Sequence, residues 1–128
     1  NAGPNAVGAR MVQTFIQDGN TPARLQFINR YLHANGGLRI PSPPSAAQGY
    51  DSMLLLAAAI RQAGSTDGPA IRQALENLKQ PVAGLITTYR KPFSATDHEA
   101  IELDVPVIGE VRQQQVMYAY PQDRLRQP

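Results

Sequence analysis

Residues 46–78, AAQGYDSMLLLAAAIRQAGSTDGPAIRQALENL, decide the fold class, because they spell two helices separated by a glycine stop. Ser45 marks the start of the first of them. From Ala46 to Ala63 there is neither a proline nor a β-branched run, and every residue from Met53 to Ile60 is apolar. A helix without a polar face needs cover on several sides, so this one is expected to be the central packing element. Tyr50 is expected in the core with its hydroxyl at the rim, and Asp51, in an early turn, complements the helix dipole. Gly64 ends the helix, as glycine tolerates a left-handed cap. Ser65-Thr66-Asp67 then caps the next helix, with Pro69 in its first turn, Ile71, Leu75 and Leu78 on one face, and Arg72 four residues before Glu76.

Toward the N-terminus, Leu38 to Pro44 holds three prolines and reads as an extended loop. Before it, Thr21-Pro22 gives an N-cap and a proline at the first helical position. Leu25, Ile28 and Leu32, flanked by Phe27 and Tyr31, mark the helix that follows, and Asn35-Gly36-Gly37 closes it. Met11 to Ile16 reads as a short strand with Val12, Thr14 and Ile16 on one face, and Gln17 to Asn20 as a turn. Residues 1–6 are expected to be a disordered start, in which Asn1-Ala2 looks like the remnant of an expression tag. Any secretion signal has been removed or lies upstream.

Toward the C-terminus the pattern turns extended. Leu85 to Tyr89 is rich in β-formers, Pro92 breaks it, and Ser94 to Glu99 is a polar loop. Leu103 to Val111 and Val116 to Tyr120 form a hairpin around residues 112–115, with Pro106 at an edge or bulge. Residues 121–128 are expected to be a frayed tail.

A chain of 128 residues suits one core, and 42% hydrophobic with 17% charged residues excludes a disordered segment. No apolar run reaches the ~18 residues of a spanning helix. The net charge of +2 is too small for a nucleic-acid surface, since Lys79 and Lys91 are the only lysines and the ten arginines are scattered. The absence of cysteine removes disulfides, thiolate metal sites and thiol nucleophiles while leaving the redox compartment open. No cofactor or metal is expected.

Catalytic chemistry is thinly supplied. His33, near a helix end, suits a surface role beside the dipole. His98 stands between Asp97 and Glu99, so a small hydrolase or isomerase using it is one reading of the chain; local hydrogen bonding is its plainer role. Gly64, Gly68 and Gly84 lack the spacing of a phosphate cradle and serve as caps and turns. Tyr118 and Tyr120, two apart on one strand face, could stack a base or a sugar, but such pairs more often cover a sheet.

The quoted stretch resembles the C-terminal part of the type I periplasmic solute-binding proteins of ABC transporters, the Leu/Ile/Val-binding or extracellular ligand-binding receptor family. The resemblance rests on Gly49-Tyr50-Asp51, on the alanine-leucine-rich helix ending in Ala63-Gly64, and on the Asp-capped helix with Ala74-Leu75. It extends to Phe27–Tyr31 with Gly36, and to Pro92-Phe93-Ser94 with Asp97-His98-Glu99-Ala100. Residues 7–120 would then correspond to the last third of a member. The resemblance implies an α/β fold, here a partial lobe of about three helices followed by a β-hairpin and short strands. Whole members have two Rossmann-like lobes crossed three times by the chain, closing over a ligand. It implies a non-enzymatic periplasmic protein that carries a small solute to an ABC permease. Pocket-wall positions map on Ser45, Ala46, Gln48 and Tyr50, while contacts to a ligand's carboxylate and ammonium lie mostly upstream. Branched-chain amino-acid binders often have a bulky aromatic near Ser45, so a small polar residue there admits a larger or more polar solute. A further alternative is a self-associating interaction module, since uncovered strand edges in a partial lobe would let two copies pair as a homodimer.

Overall fold

The computed structural model describes residues 3–125, which carry three helices and five strands. They are β1 (Arg10–Gln13), α1 (Pro22–Ala34), α2 (Pro43–Ala63), α3 (Gly68–Glu76), β2 (Val82–Ala83), β3 (Thr88–Tyr89), β4 (Val107–Arg112) and β5 (Gln115–Tyr118). After β1, three helices followed by short strands and a closing hairpin are the order expected of the partial α/β lobe. All strand pairing is antiparallel: β1-β4-β5 make one sheet, with Arg10 opposite Glu110 and Gly109 opposite Tyr118, and β2-β3 make a second.

The helix ends follow local rules. Thr21 Oγ1 accepts from the Arg24 amide at 3.3 Å and Asp67 from the Ala70 amide at 3.2 Å, each satisfying an orphan donor of the first turn. Gly64 closes α2 at φ 61°. Arg72 and Glu76 pair at 2.8 Å along α3. The start of α2 differs from expectation. Ser42, not Ser45, is its N-cap residue, and Pro43-Pro44 occupy the first turn, where a missing N–H leaves no hydrogen bond unmade. The expected extended loop is shortened accordingly.

Cover on α2 is also less than its composition predicts. Only Ala47, Asp51, Leu55 and Ala59, spaced four apart, are buried, and Met53 is 63% exposed. The helix packs on α3 and β2, so its apolar surface exceeds the partners these residues provide. Tyr50, expected in the core, is exposed on the flank of this stripe, against Phe27 of α1.

Among the described residues the buried side chains group into three clusters, the first and third of them joined by the half-buried Ile101. Phe15, Ala47, Leu85 and Ile86 form one; Ile16, Val107 and Tyr118 a second; Leu55, Leu78 and Tyr89 a third. Phe15 and Ile16 enter different clusters because consecutive side chains of an extended segment point to opposite sides. That segment lies beyond β1, which ends at Gln13, and Val12 faces outward.

Several extended regions are re-divided. Residues 82–89 form a small hairpin, β2-β3, not one strand from Leu85 to Tyr89. The strand expected from Leu103 begins only at Val107: Pro106 cannot donate to a ladder, and Leu103 is 99% exposed. Residues 3–6, expected to be disordered, form a 3-10 turn, as does Pro121–Leu125 in the expected frayed tail, where Asp123 is buried. Asn1-Ala2 and residues 126–128 of the expected tail lie outside the described residues.

The β4-β5 connection is a two-residue turn, Gln113-Gln114, tighter than the four-residue loop expected. Both residues have positive φ, 48° and 62°. Such a turn matches strand twist but favours Asn-Gly, since a Cβ is strained at these angles. Replacing Gln114 by glycine is expected to raise stability by roughly 0.5–1 kcal/mol by relieving this strain, against the entropy that glycine adds to the unfolded chain. A higher thermal midpoint would show it.

Candidate ligand-binding site

The expected binding residues lie in the first two turns of α2, but they do not converge. Ser45 is exposed, its Oγ 2.8 Å from Ser42 Oγ. Gln48 points to the segment after β1, donating from Nε2 to Thr14 Oγ1 at 3.3 Å. Tyr50 lies toward α1, its ring centroid 5.3 Å from that of Phe27 in an edge-on pair. Ala46 is half-buried. Gln26, Phe27, Arg30, Tyr31 and Tyr50 line an apolar groove of about 240 Å³ between the two helices.

Immediately behind this surface is a buried polar clamp that the sequence reading missed. Asp51, 1% exposed, accepts from the Leu85 amide at 2.7 Å, the Ile86 amide at 3.0 Å and the Tyr89 hydroxyl at 2.9 Å. Arg24, fully buried, donates from Nε to the Leu85 carbonyl at 2.9 Å. One peptide segment is thus gripped at its N–H groups by α2 and at its carbonyl by α1. Gly84 is required beside it, because a Cβ there would stand 2.5 Å from Asp51 Oδ2 and 2.7 Å from the Tyr89 ring. Asp51 therefore does more than complement the helix dipole. It fixes the β2-β3 turn against the helix that carries the expected site.

Burial, and secondarily the charge of Asp51, pushes the Tyr89 phenol well above its ordinary value. Burial and then Asp18 also raise Tyr118, against the opposing effect of Arg24. A tyrosine raised in the folded state keeps its proton when unfolded tyrosines lose theirs. Stability from these groups is therefore complete below pH about 10 and falls as pH rises toward their folded values. Thermal midpoints measured across that range should decline, and the decline should be smaller in Tyr89→Phe.

Other candidates resolve simply. His33 is exposed at the end of α1. His98 is exposed and meets neither Asp97 nor Glu99. Its Nε2 lies 3.3 Å from Glu76 Oε1, a carboxylate already held by Arg72, while Asp97 accepts from the Glu99 amide within its own loop. Arg72 foremost holds the Glu76 carboxyl below the usual range. Tyr118 is buried, whereas Tyr120 lies past the end of β5 under the Arg10 guanidinium, so the two do not form a stacking platform. Among the described residues, no group of three or more His, Asp or Glu is placed to hold a metal ion.

The profile of a family described as periplasmic binding protein matches residues 1–107. The chain belongs to the periplasmic binding protein family. Solved structures agree on the fold of this binding protein. It is similar to the leucine-binding protein LivK of Thermotoga maritima, with TM-score 0.69 and 21% identity over 94% of this chain and 33% of that one. A solute-binding protein of an R. palustris ABC transporter, in complex with benzoate, gives 0.67 and 20% over 92% and 31%. A type 1 periplasmic binding protein of Bordetella pertussis gives 0.66 and 27% over 91% and 34%. The chain thus spans about a third of the length of these relatives, as the partial-lobe reading expects. Among curated proteins none matches by sequence. The family is one of solute receptors, not enzymes, which removes the His98 hydrolase as a reading. Neither the family match nor these structures support the expected homodimer.

Proposed function

We propose that this binding protein is the C-terminal portion of a periplasmic receptor that captures an amino acid or small organic acid by cleft closure and delivers it to an ABC permease. The observation that carries the reading is the family match over residues 1–107. The named ligands of two structural relatives, leucine and benzoate, support the solute class, since each joins a carboxylate to an apolar body. No described helix is long and apolar enough to cross a membrane.

In this reading the start of α2 forms one pocket wall. Tyr50 offers a flat apolar surface, Gln48 an amide that can exchange Thr14 for a ligand group, and Ser45 and Ala46 room for a larger solute. Closure would bring the other wall from the part of the protein that the relatives carry beyond this chain. A protein joining this chain to that part should melt higher with its solute, by an amount that grows with the logarithm of ligand concentration above Kd. Tyr50→Ala and Gln48→Ala should each weaken the effect. A panel of amino acids and organic acids that leaves the midpoint unmoved would overturn the reading.

A further inference from the structure

We propose that the groove beside Arg39 is a second binding site, for a small carboxylate with an apolar body. It measures about 500 Å³, twice the groove of about 250 Å³ beside Thr87–Lys91, and falls in the range of small-molecule sites. Three distant parts of the chain build it: the segment after β1, the loop leading into α2, and the β4-β5 turn. Leu32, Pro41 and Val116 supply apolar surface over the buried Phe15 and Ile40, and Gln13, Gln17 and Gln115 supply amides that both donate and accept. No acidic residue lines the groove, and Arg39 is its only charge.

Arg39 donates from Nη2 to the Gln114 carbonyl at 3.2 Å, and among the described residues no carboxylate pairs with it. A guanidinium has five donors in a planar fork, so one carbonyl bond orients it without exhausting it, and a carboxylate is the group that fits the fork. The carbonyl that orients it belongs to a glutamine held at φ 62°, which itself lines the groove. Strain of this kind, retained where Asn-Gly would remove it, accords with a functional wall. Every residue that lines the groove belongs to this chain, and it touches α2 only at Pro43, so its binding can be measured apart from cleft closure.

The test is calorimetric titration of the 128-residue chain with benzoate, and with benzamide as its neutral isostere. Saturable benzoate binding is expected, with benzamide at least about tenfold weaker because the charge-assisted hydrogen bond is lost. Arg39→Gln should weaken benzoate by about tenfold, while Arg61→Gln, which removes the same charge at the far end of α2, should not. Gln115→Trp, which adds bulk inside the groove, should block binding with an unchanged circular dichroism spectrum, and decides the matter if Arg39→Gln disturbs the fold. Absence of saturation in the millimolar range, equal binding of benzamide, or an equal loss in Arg61→Gln would overturn the proposal. None of these outcomes bears on solute capture by the longer protein.

Discussion

Asp51→Ala is expected to lower the stability of the chain by about 3–5 kcal/mol, read as a lower urea midpoint. The estimate follows from what Asp51 holds. Two buried amides and one buried hydroxyl donate to it, and alanine offers none of them an acceptor. Each buried donor left unsatisfied costs about 1–3 kcal/mol, because water cannot replace the lost partner without opening the turn. Asp51→Asn should cost less: its carbonyl can still accept, while its NH2 opposes a donor. Tyr89→Phe removes one bond and should cost about 1 kcal/mol. Because Asp51 and Tyr89 touch, the double variant should cost less than the sum of the single ones. An Asp51→Ala variant as stable as the parent would show that the turn is held by apolar packing alone.

The clamp also shows where sequence reading stops. Thr21, Gly64 and Asp67 are legible because a cap is a contract between residues two to four apart. Asp51 is not, since its three partners lie 34 to 38 residues away. A signal was nevertheless present: Asp51 falls on the stripe of Ala47, Leu55 and Ala59, and a carboxylate on the buried stripe of an apolar helix requires buried donors. Pro43-Pro44 read as loop in the sequence because prolines break helices, although the same missing N–H is harmless in a first turn. Gln113-Gln114 could not be foreseen as a two-residue turn, as no glycine announces it. The expected site was legible only through family resemblance. Nothing local to residues 45–50 tells that Gln48 turns to Thr14 and Tyr50 to Phe27. The Arg39 groove, assembled from three distant segments, left no mark on any one of them.

The second large effect is expected at Arg24. Its Nε binds the Leu85 carbonyl at 2.9 Å, its Nη1 reaches Asp18 Oδ1 and the Tyr118 hydroxyl, each at 3.4 Å, and its guanidinium lies 4.7 Å over the Phe15 ring. Leu85 and Phe15 belong to one apolar cluster and Tyr118 to another. One buried side chain thus joins α1, the β2-β3 turn and the β1-β4-β5 sheet. Arg24→Leu should cost about 3 kcal/mol, since it takes the buried donor from the Leu85 carbonyl and leaves the half-buried Asp18 with only the exposed Arg124, 3.4 Å away, as its cation. Arg24→Lys should recover little of this, as an ammonium cannot serve Leu85 and Asp18 with a planar fork while stacking on Phe15. The stronger discriminator is regional. If Arg24 couples the clusters, then amides of β4 and β5 in Arg24→Leu should exchange hydrogen well before those of α2 and α3, whereas in the parent both should open together. Uniform loss of protection would mean that Arg24 stabilises the whole without linking its parts.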